Sequence, residues 1–247
     1  MKISSPPLIR LAPMLLMAIT ICCPQLLAQN PQLQTKNGGR FPTIVFSSVL
    51  WSANPSYYSF AVDSMGAATY QSAPDSVDTT GVPYTVVFQS DDATRRIIFN
   101  LSRNLDYFRG EIPVSLGSPQ NSPVRTLAYH DLTFDDQITF TDSTDPQMQE
   151  LLSVFQEVSA TLEFGRRLAY FHEHDPGRLE NELAAVHKTA ERHRLRELQA
   201  VAAVLRSIAA DAHLSSETRA EAQAVLDQHQ LKAGSGPQLT EAPRSGN

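Results

Sequence analysis

The chain has 247 residues, of which 42% are hydrophobic and 19% are charged, and its formal net charge is -6. This composition excludes a disordered chain of low hydrophobicity and a polybasic chain. Because sequence-independent binding to nucleic acid needs Lys and Arg to neutralise phosphates, we expect no nucleic-acid partner.

The N-terminal segment has the order of a secretory signal, in which basic residues are followed by an apolar run and a small residue. Lys2 and Arg10 come first, and the apolar run 11–23 covers only about 20 Å as a helix, less than a bilayer core. We predict a signal peptide at 1–28 with cleavage after Ala28, a periplasmic or secreted protein, and no membrane span after cleavage. A lipoprotein signal using Cys22 or Cys23 is the alternative.

Cleavage would remove both cysteines, so the mature chain would have no thiol and no disulfide.

Residues 29–40 are polar, contain a Gly pair and lack periodicity, which predicts a linker. The next residues form short runs rich in Val, Ile, Phe, Tyr and Thr, which is the pattern of β-strands. The four predicted strands are 43–51, 57–63, 67–72 and 83–89, the second and third of them joined as a hairpin by an Asp-Gly turn.

A first helix follows the fourth strand. Ser90 is the predicted N-cap, since Asp91 and Asp92 then lie in the positive first turn of the helix. Apolar residues at helical spacing follow, and Gly110 is predicted to end the helix.

Three prolines in residues 111–123 predict a long loop without regular pairing. Two more strands are predicted at 124–130 and 137–141. Four strands, one helix and two strands with mostly hairpin-length connections favour an antiparallel sheet.

The longest predicted helix begins with Asp145 as cap and Pro146 as first residue, and it ends before the Asp-Pro-Gly sequence at 175–177. Gly165 is a candidate position for a kink. Because the apolar stripe of this helix is too long to remain in water, we expect its first half to cover the sheet and its second half to pack on later helices.

Three shorter helices are predicted at 178–191, 195–211 and 216–230, the last of them capped by Ser215. The last two are Ala-rich, which is typical of a packed helical hairpin, and a HEAT-like repeat pair is an alternative. The Gly, Pro and Ser content of residues 232–247 predicts a disordered tail.

These elements predict an α+β fold, with an antiparallel sheet of about six strands, two packing helices and a small all-α segment after them. After the signal and the linker, we expect an α+β domain at 41–177 and a helical C-terminal region at 178–231. We expect any binding function to use the loops that the long helix leaves open, chiefly 111–123 and 73–82.

Three runs carry a resemblance to known sequences: SYYSFAVDSMGAATYQS, PYTVVFQSDDATRRIIFNLSRNLDYFRG and VRTLAYHD. With them the chain resembles uncharacterised secreted bacterial proteins over about residues 41–175. The resemblance implies a small α+β domain outside the cytoplasm and implies no catalytic residue.

The sharpest cluster of metal-ligand types is His172, Glu173, His174 and Asp175. Residues two apart on a helix point about 200° apart, so the two imidazoles cannot bind one ion unless the helix has already ended there. We therefore assign no metal and no cofactor, and interpret the cluster as a charged helix end.

Other catalytic motifs are missing from the sequence. No Ser lies in GxSxG or SxxK, no HExxH is present, and no Gly-rich turn suits a nucleotide phosphate. The pairs Asp75 and Asp78, and Asp135 and Asp136, are interpreted as turn residues between strands.

Five aromatic residues cluster in the strand-like part of the chain and could stack on sugars or grip a peptide. They are Trp51, Tyr57, Tyr58, Tyr70 and Tyr84. Since side chains alternate along a strand, part of this set must point into the core instead.

The function that the sequence favours is a non-enzymatic binding or envelope-assembly module, with a protein or glycan of the cell envelope as partner. The alternatives are a hydrolase whose site is assembled from distant residues and a purely structural envelope protein. A deep pocket with convergent His and carboxylates would favour the enzyme. An open groove or an aromatic patch would favour binding.

Overall fold

The computed structural model describes residues 41–73, 82–117, 122–192 and 194–234. The predicted signal and linker, the pair Asp75 and Asp78, and the chain from residue 235 onward lie outside the described residues. None of the helices in the described ranges combines the length and the apolar composition that a membrane-spanning segment needs.

The strands are β1 (Thr43–Val49), β2 (Tyr57–Asp63), β3 (Ala67–Ser72), β4 (Tyr84–Gln89), β5 (Val114–Ser115), β6 (Val124–His130), β7 (Asp135–Phe140) and β8 (Asp142–Ser143). Six of them form one antiparallel sheet in the order β4-β3-β2-β1-β6-β7. The predicted α+β fold with an antiparallel sheet is confirmed.

The hairpin of β2 and β3 is closed by the predicted Asp-Gly turn. The Oδ1 of Asp63 accepts hydrogen bonds from the N–H groups of Met65 and Ala67, both at 2.9 Å. Gly66 has a φ of +91°, a conformation in which a side chain would be strained.

The helices of the described residues are α1 (Asp92–Asn104), α2 (Pro146–His174), α3 (Pro176–Glu191), α4 (Leu198–Ala210) and α5 (Ser216–Gly234). The predicted N-cap of α1 is wrong by one residue, because Asp91 caps it by accepting from the Thr94 N–H at 2.8 Å. Ser90 is buried and bonds instead to Glu197.

The first helix also ends earlier than Gly110 predicts. After Asn104 the chain makes a 3₁₀ turn at Asp106–Phe108, whose three residues have positive φ angles of 48°, 52° and 69°. An α-helix cannot hold such angles. The turn buries Phe108 and places the Tyr107 ring 4.3 Å from the Tyr129 ring of β6, so contacts with the sheet oppose helical continuation.

Two predictions around the last strands need correction. The loop 111–123 contains β5, which pairs with β8 in a small separate sheet. Asp135 and Asp136 lie in β7 and are not turn residues, because pairing with His130 and Tyr129 of β6 extends the strand to Asp135.

Helix α2 has the predicted bounds and connects the sheet to the later helices. Asp145 caps it through bonds from the Gln147 and Met148 N–H groups at 2.8 and 3.0 Å. Phe155 stacks on Phe46 of β1 with 4.6 Å between ring centroids. At Gly165, α2 packs closely against Val201 of α4.

The later helices differ from prediction at four ends, because α3 begins at 176 and not 178, α4 covers 198–210 and not 195–211, and α5 ends at 234 and not 230. Helix α4 begins at Leu198 because Glu197 has a left-handed backbone with φ of 60°, and α5 continues past residue 231 to Gly234. Helices α4 and α5 pack against each other, as the predicted hairpin requires. One continuous cluster of buried apolar residues extends from the sheet strands through α2 into α3, α4 and α5.

Candidate functional site

A pocket of about 190 Å³ lies at the end of the sheet where β1 finishes and β6 begins. We call it the Arg125 pocket. Its lining residues are Ser48, Leu50, Ala53, Pro55, Tyr58, Pro123, Arg125 and Gln156.

Strand pairing brings the polar side chains of the pocket together. In the register of the sheet, Ser48 of β1 lies directly opposite Tyr58 on one side and Arg125 on the other. Directly paired residues project from the same face of a sheet, so the three polar side chains form one row. Gln156 of α2 adds an amide from the helix that covers this face.

Arg125 supplies the charge of the pocket. Its guanidinium donates to the carbonyl oxygen of Thr141, and it forms no ion pair with any residue in the described part of the chain. A guanidinium has five donors in a planar fork, so donors remain for a ligand after the bond to Thr141 is made.

Tyr58 adds a neutral hydroxyl. Burial raises the pKa of Tyr58 above its usual value, and the hydrogen bond with Ser48 and the Arg125 charge oppose that rise. Because the hydroxyl stays protonated at neutral pH, it can donate a hydrogen bond. The polar row therefore combines one positive charge with two hydroxyl groups.

The apolar side of the pocket comes from the turn between β1 and β2. The Leu50 N–H donates to the carbonyl of Ser56 at 2.9 Å, and the Ala53 N–H donates to the carbonyl of Leu50 at 2.9 Å. Trp51 projects from the same turn and is 79% exposed. A ligand with an anionic group and a short apolar part fits this arrangement.

The five predicted aromatic binding residues do not share one exposed face. Trp51 is exposed and Tyr70 is fully buried. Tyr57 lies on the opposite face of the sheet from its neighbour Tyr58, as strand alternation requires. Tyr84 is partly buried with its ring 6.4 Å from that of Tyr70. Tyr58 is the member that lines the pocket.

Tyr70 and Tyr84 belong to a buried polar network that attaches α2 to the sheet. The Tyr70 hydroxyl donates to Glu163 Oε1 at 2.9 Å and lies 3.0 Å from Ser159 Oγ. Burial first and the Glu163 charge second raise the pKa of Tyr70 well above its usual value, and they raise the pKa of Tyr84 to about 12. Arg166 lies 5.6 Å from the centre of the Tyr84 ring.

The histidine cluster at the end of α2 is divided among different partners. His172 Nε2 lies 2.9 Å from Asp211 Oδ2, and the His174 ring stacks on Tyr170 with 4.6 Å between centroids. Asp175 accepts from the Arg178 N–H at the start of α3. No group of three or more His, Cys, Asp or Glu residues that could hold a metal ion occurs among the described residues.

Glu197 is a buried acid that the sequence analysis did not single out. Its carboxylate accepts from Ser90 Oγ, from the Asp91 N–H at 3.0 Å and from Gln199. Burial raises the pKa of Glu197 to about 7. It joins α4 to the end of β4, at the opposite end of the sheet from the Arg125 pocket.

Compared with protein-family models and with curated proteins, the chain has no match. The resemblance to secreted bacterial proteins stays a prediction. A function for the pocket is therefore inferred from its own residues alone.

Proposed function

We propose that the protein is an exported, non-enzymatic binding module that holds a carboxylate group of its partner in the Arg125 pocket. The observation that carries this proposal is the guanidinium of Arg125, which lines a partly apolar pocket and has no carboxylate partner within the described ranges. An Arg without an acidic partner in a pocket suits a planar anion that accepts two hydrogen bonds.

The size of the pocket limits the ligand. At about 190 Å³ it is smaller than the roughly 300–1,000 Å³ of typical small-molecule sites. It suits an end group, such as the C-terminal residue of a polypeptide or one acidic sugar, better than a whole cofactor. Such an end group is consistent with the predicted protein or glycan partner of the cell envelope.

The alternative of a hydrolase needs a nucleophile with a nearby base. Ser48 supplies a hydroxyl, but none of the residues found to line the pocket is His, Asp or Glu. The acid with the most clearly raised pKa, Glu197, belongs to another end of the sheet. These placements favour binding over hydrolysis at this pocket.

Calorimetric titration with N-acetylglycine and with glucuronate tests the proposal and distinguishes a peptide end from a sugar acid. Hydrogen bonds to a charged group contribute about 1.5–3 kcal/mol each. We therefore expect Arg125→Gln to weaken binding by roughly 10- to 100-fold. Arg125→Lys keeps the charge without the planar fork, so it should bind with intermediate affinity.

Arg103→Gln is the matched control, because it removes the same charge from the exposed surface of α1 and should leave binding unchanged. The thermal midpoint of each variant shows that the fold is intact. Absence of binding by the native protein, or equal binding by Arg125→Gln, would contradict the proposal.

A further inference from the structure

Strand β4 forms one edge of the sheet, and its outer backbone groups can be identified from two hydrogen bonds. The Ser90 N–H donates inward to the Gly66 carbonyl at 2.8 Å, whereas the Gln89 carbonyl accepts from Gln199 of α4 on the other side. Since backbone groups alternate along an antiparallel strand, the N–H and C=O groups of Thr85 and Val87 point outward. In the described part of the chain these groups have no partner.

Apart from its end, where Gln199 of α4 bonds to the Gln89 carbonyl, this edge lacks the features that usually protect an edge strand. Its six residues pair with β3 in an unbroken register, so the strand contains no bulge. The strand also contains no Pro, no Lys and no residue with any other charged side chain. The Val87 side chain is 73% exposed. The opposite edge strand, β7, differs because it begins with Asp135 and Asp136.

The sequence of β4 is complementary to itself in one antiparallel register. If two copies meet with Val86 opposite Val86, then Tyr84 lies opposite Phe88 and Thr85 lies opposite Val87. Aromatic and β-branched pairs of this kind are the favourable cross-strand pairs. The outward groups of Thr85 and Val87 would then form two hydrogen-bonded pairs across the contact.

The self-complementary register of β4 selects a second copy as the occupant. The whole chain carries a net charge of -6, so two copies repel over most of their surfaces. The uncharged β4 edge is a strip where they can approach without placing like charges opposite each other. We propose that β4 docks against β4 of a second copy and joins two six-stranded sheets into one continuous antiparallel sheet.

The contact is short, so the dimer is a weak and reversible one. A six-residue strand contributes much less than the roughly 1,200 Å² that stable interfaces bury. This proposal does not depend on the Arg125 pocket, which lies among the ends of β1, β2 and β6.

Charge variants at the two outward residues test the proposed register. Thr85 and Val87 have exposed side chains, so substitution there spares the core. T85K/V87K places Lys opposite Lys across the contact, and T85E/V87E places Glu opposite Glu. We expect sedimentation equilibrium to show a concentration-dependent dimer for the native protein and monomers for each variant alone. An equimolar mixture of the two variants should dimerise again, because each Lys then meets a Glu.

The matched control is Q137K/T139K, which adds the same charge to exposed positions of the opposite edge strand β7 and should leave the dimer intact. Circular dichroism verifies that each variant is folded. A native protein that stays monomeric at every concentration overturns the proposal. Variants that dimerise like the native protein, or a mixture that stays monomeric, overturn it as well.

Discussion

Gly165→Ala tests how closely α2 approaches α4. A Cβ at this position would lie 2.2 Å from Val201 Cγ1 and 2.8 Å from Val201 Cβ. Rotation of the Val201 side chain can move Cγ1 away, but it cannot move Cβ, so the two helices must separate. The predicted kink is therefore not needed to explain this glycine, because close approach of a neighbouring helix already requires it.

The expected cost of Gly165→Ala follows from two opposing terms. Overpacking a buried contact costs about 1–3 kcal/mol, whereas Ala in a helix interior is favoured over Gly by about 1 kcal/mol. Because the clash reaches a Cβ atom, we expect the larger overpacking cost and a net loss of about 1–2 kcal/mol. Urea unfolding followed by circular dichroism measures this loss.

Two variants make that measurement specific. Gly110→Ala is the matched control, since a Cβ at Gly110 meets nothing within 4 Å, and its stability should change by less than about 0.5 kcal/mol. Val201→Ala removes the nearer clashing atom, so the double variant should lose less than the sum of the two single variants. A Gly165→Ala protein as stable as the native one would refute the described contact between α2 and α4.

Three further predictions concern the core, the buried acid and export. Phe155→Ala should cost about 3–5 kcal/mol in urea unfolding, because it leaves a cavity beneath the stacked Phe46 ring. The pKa of Glu197 is about 7 in the folded protein, above its usual value near 4.5, so the folded state binds more protons than the unfolded state between these pH values. The free energy of unfolding should therefore fall as pH rises from about 4.5 to 7. Glu197→Gln should remove that part of the decline, and identical pH profiles of the native protein and the variant would contradict the assignment. Intact-mass measurement of exported protein should show an N-terminus at Gln29, whereas a lipid-modified Cys22 or Cys23 would contradict the predicted cleavage.

Local chemistry explains which elements could be predicted from the sequence. The start of α2 depends on Asp145 and Pro146, which act on the first helical turn alone, and its predicted bounds agree with the structure. The hairpin of β2 and β3 depends on the turn at 63–66 and has the predicted bounds too. Signals of this kind need no information about distant residues.

Contacts between distant residues explain what could not be predicted. The end of α1 depends on Tyr107 and Phe108 packing on the sheet, and the start of α4 depends on Glu197 bonding to Ser90. The polar row of the pocket joins Ser48 to Arg125 only through the register of β1 and β6. No local pattern marks either residue, whereas the aromatic pattern did point to Tyr58.

Mapping a carboxylate ligand onto the labelled protein tests the central proposal most directly. In an NMR titration with N-acetylglycine, we expect saturable shifts of the Arg125 guanidinium N–H signal and of the indole N–H signal of Trp51, the single Trp of the chain. The amides of Ser90 and Asp91, at the other end of the sheet, should not respond. Shifts centred on those amides, or a guanidinium signal that does not move, would contradict the assignment of the Arg125 pocket as the binding site.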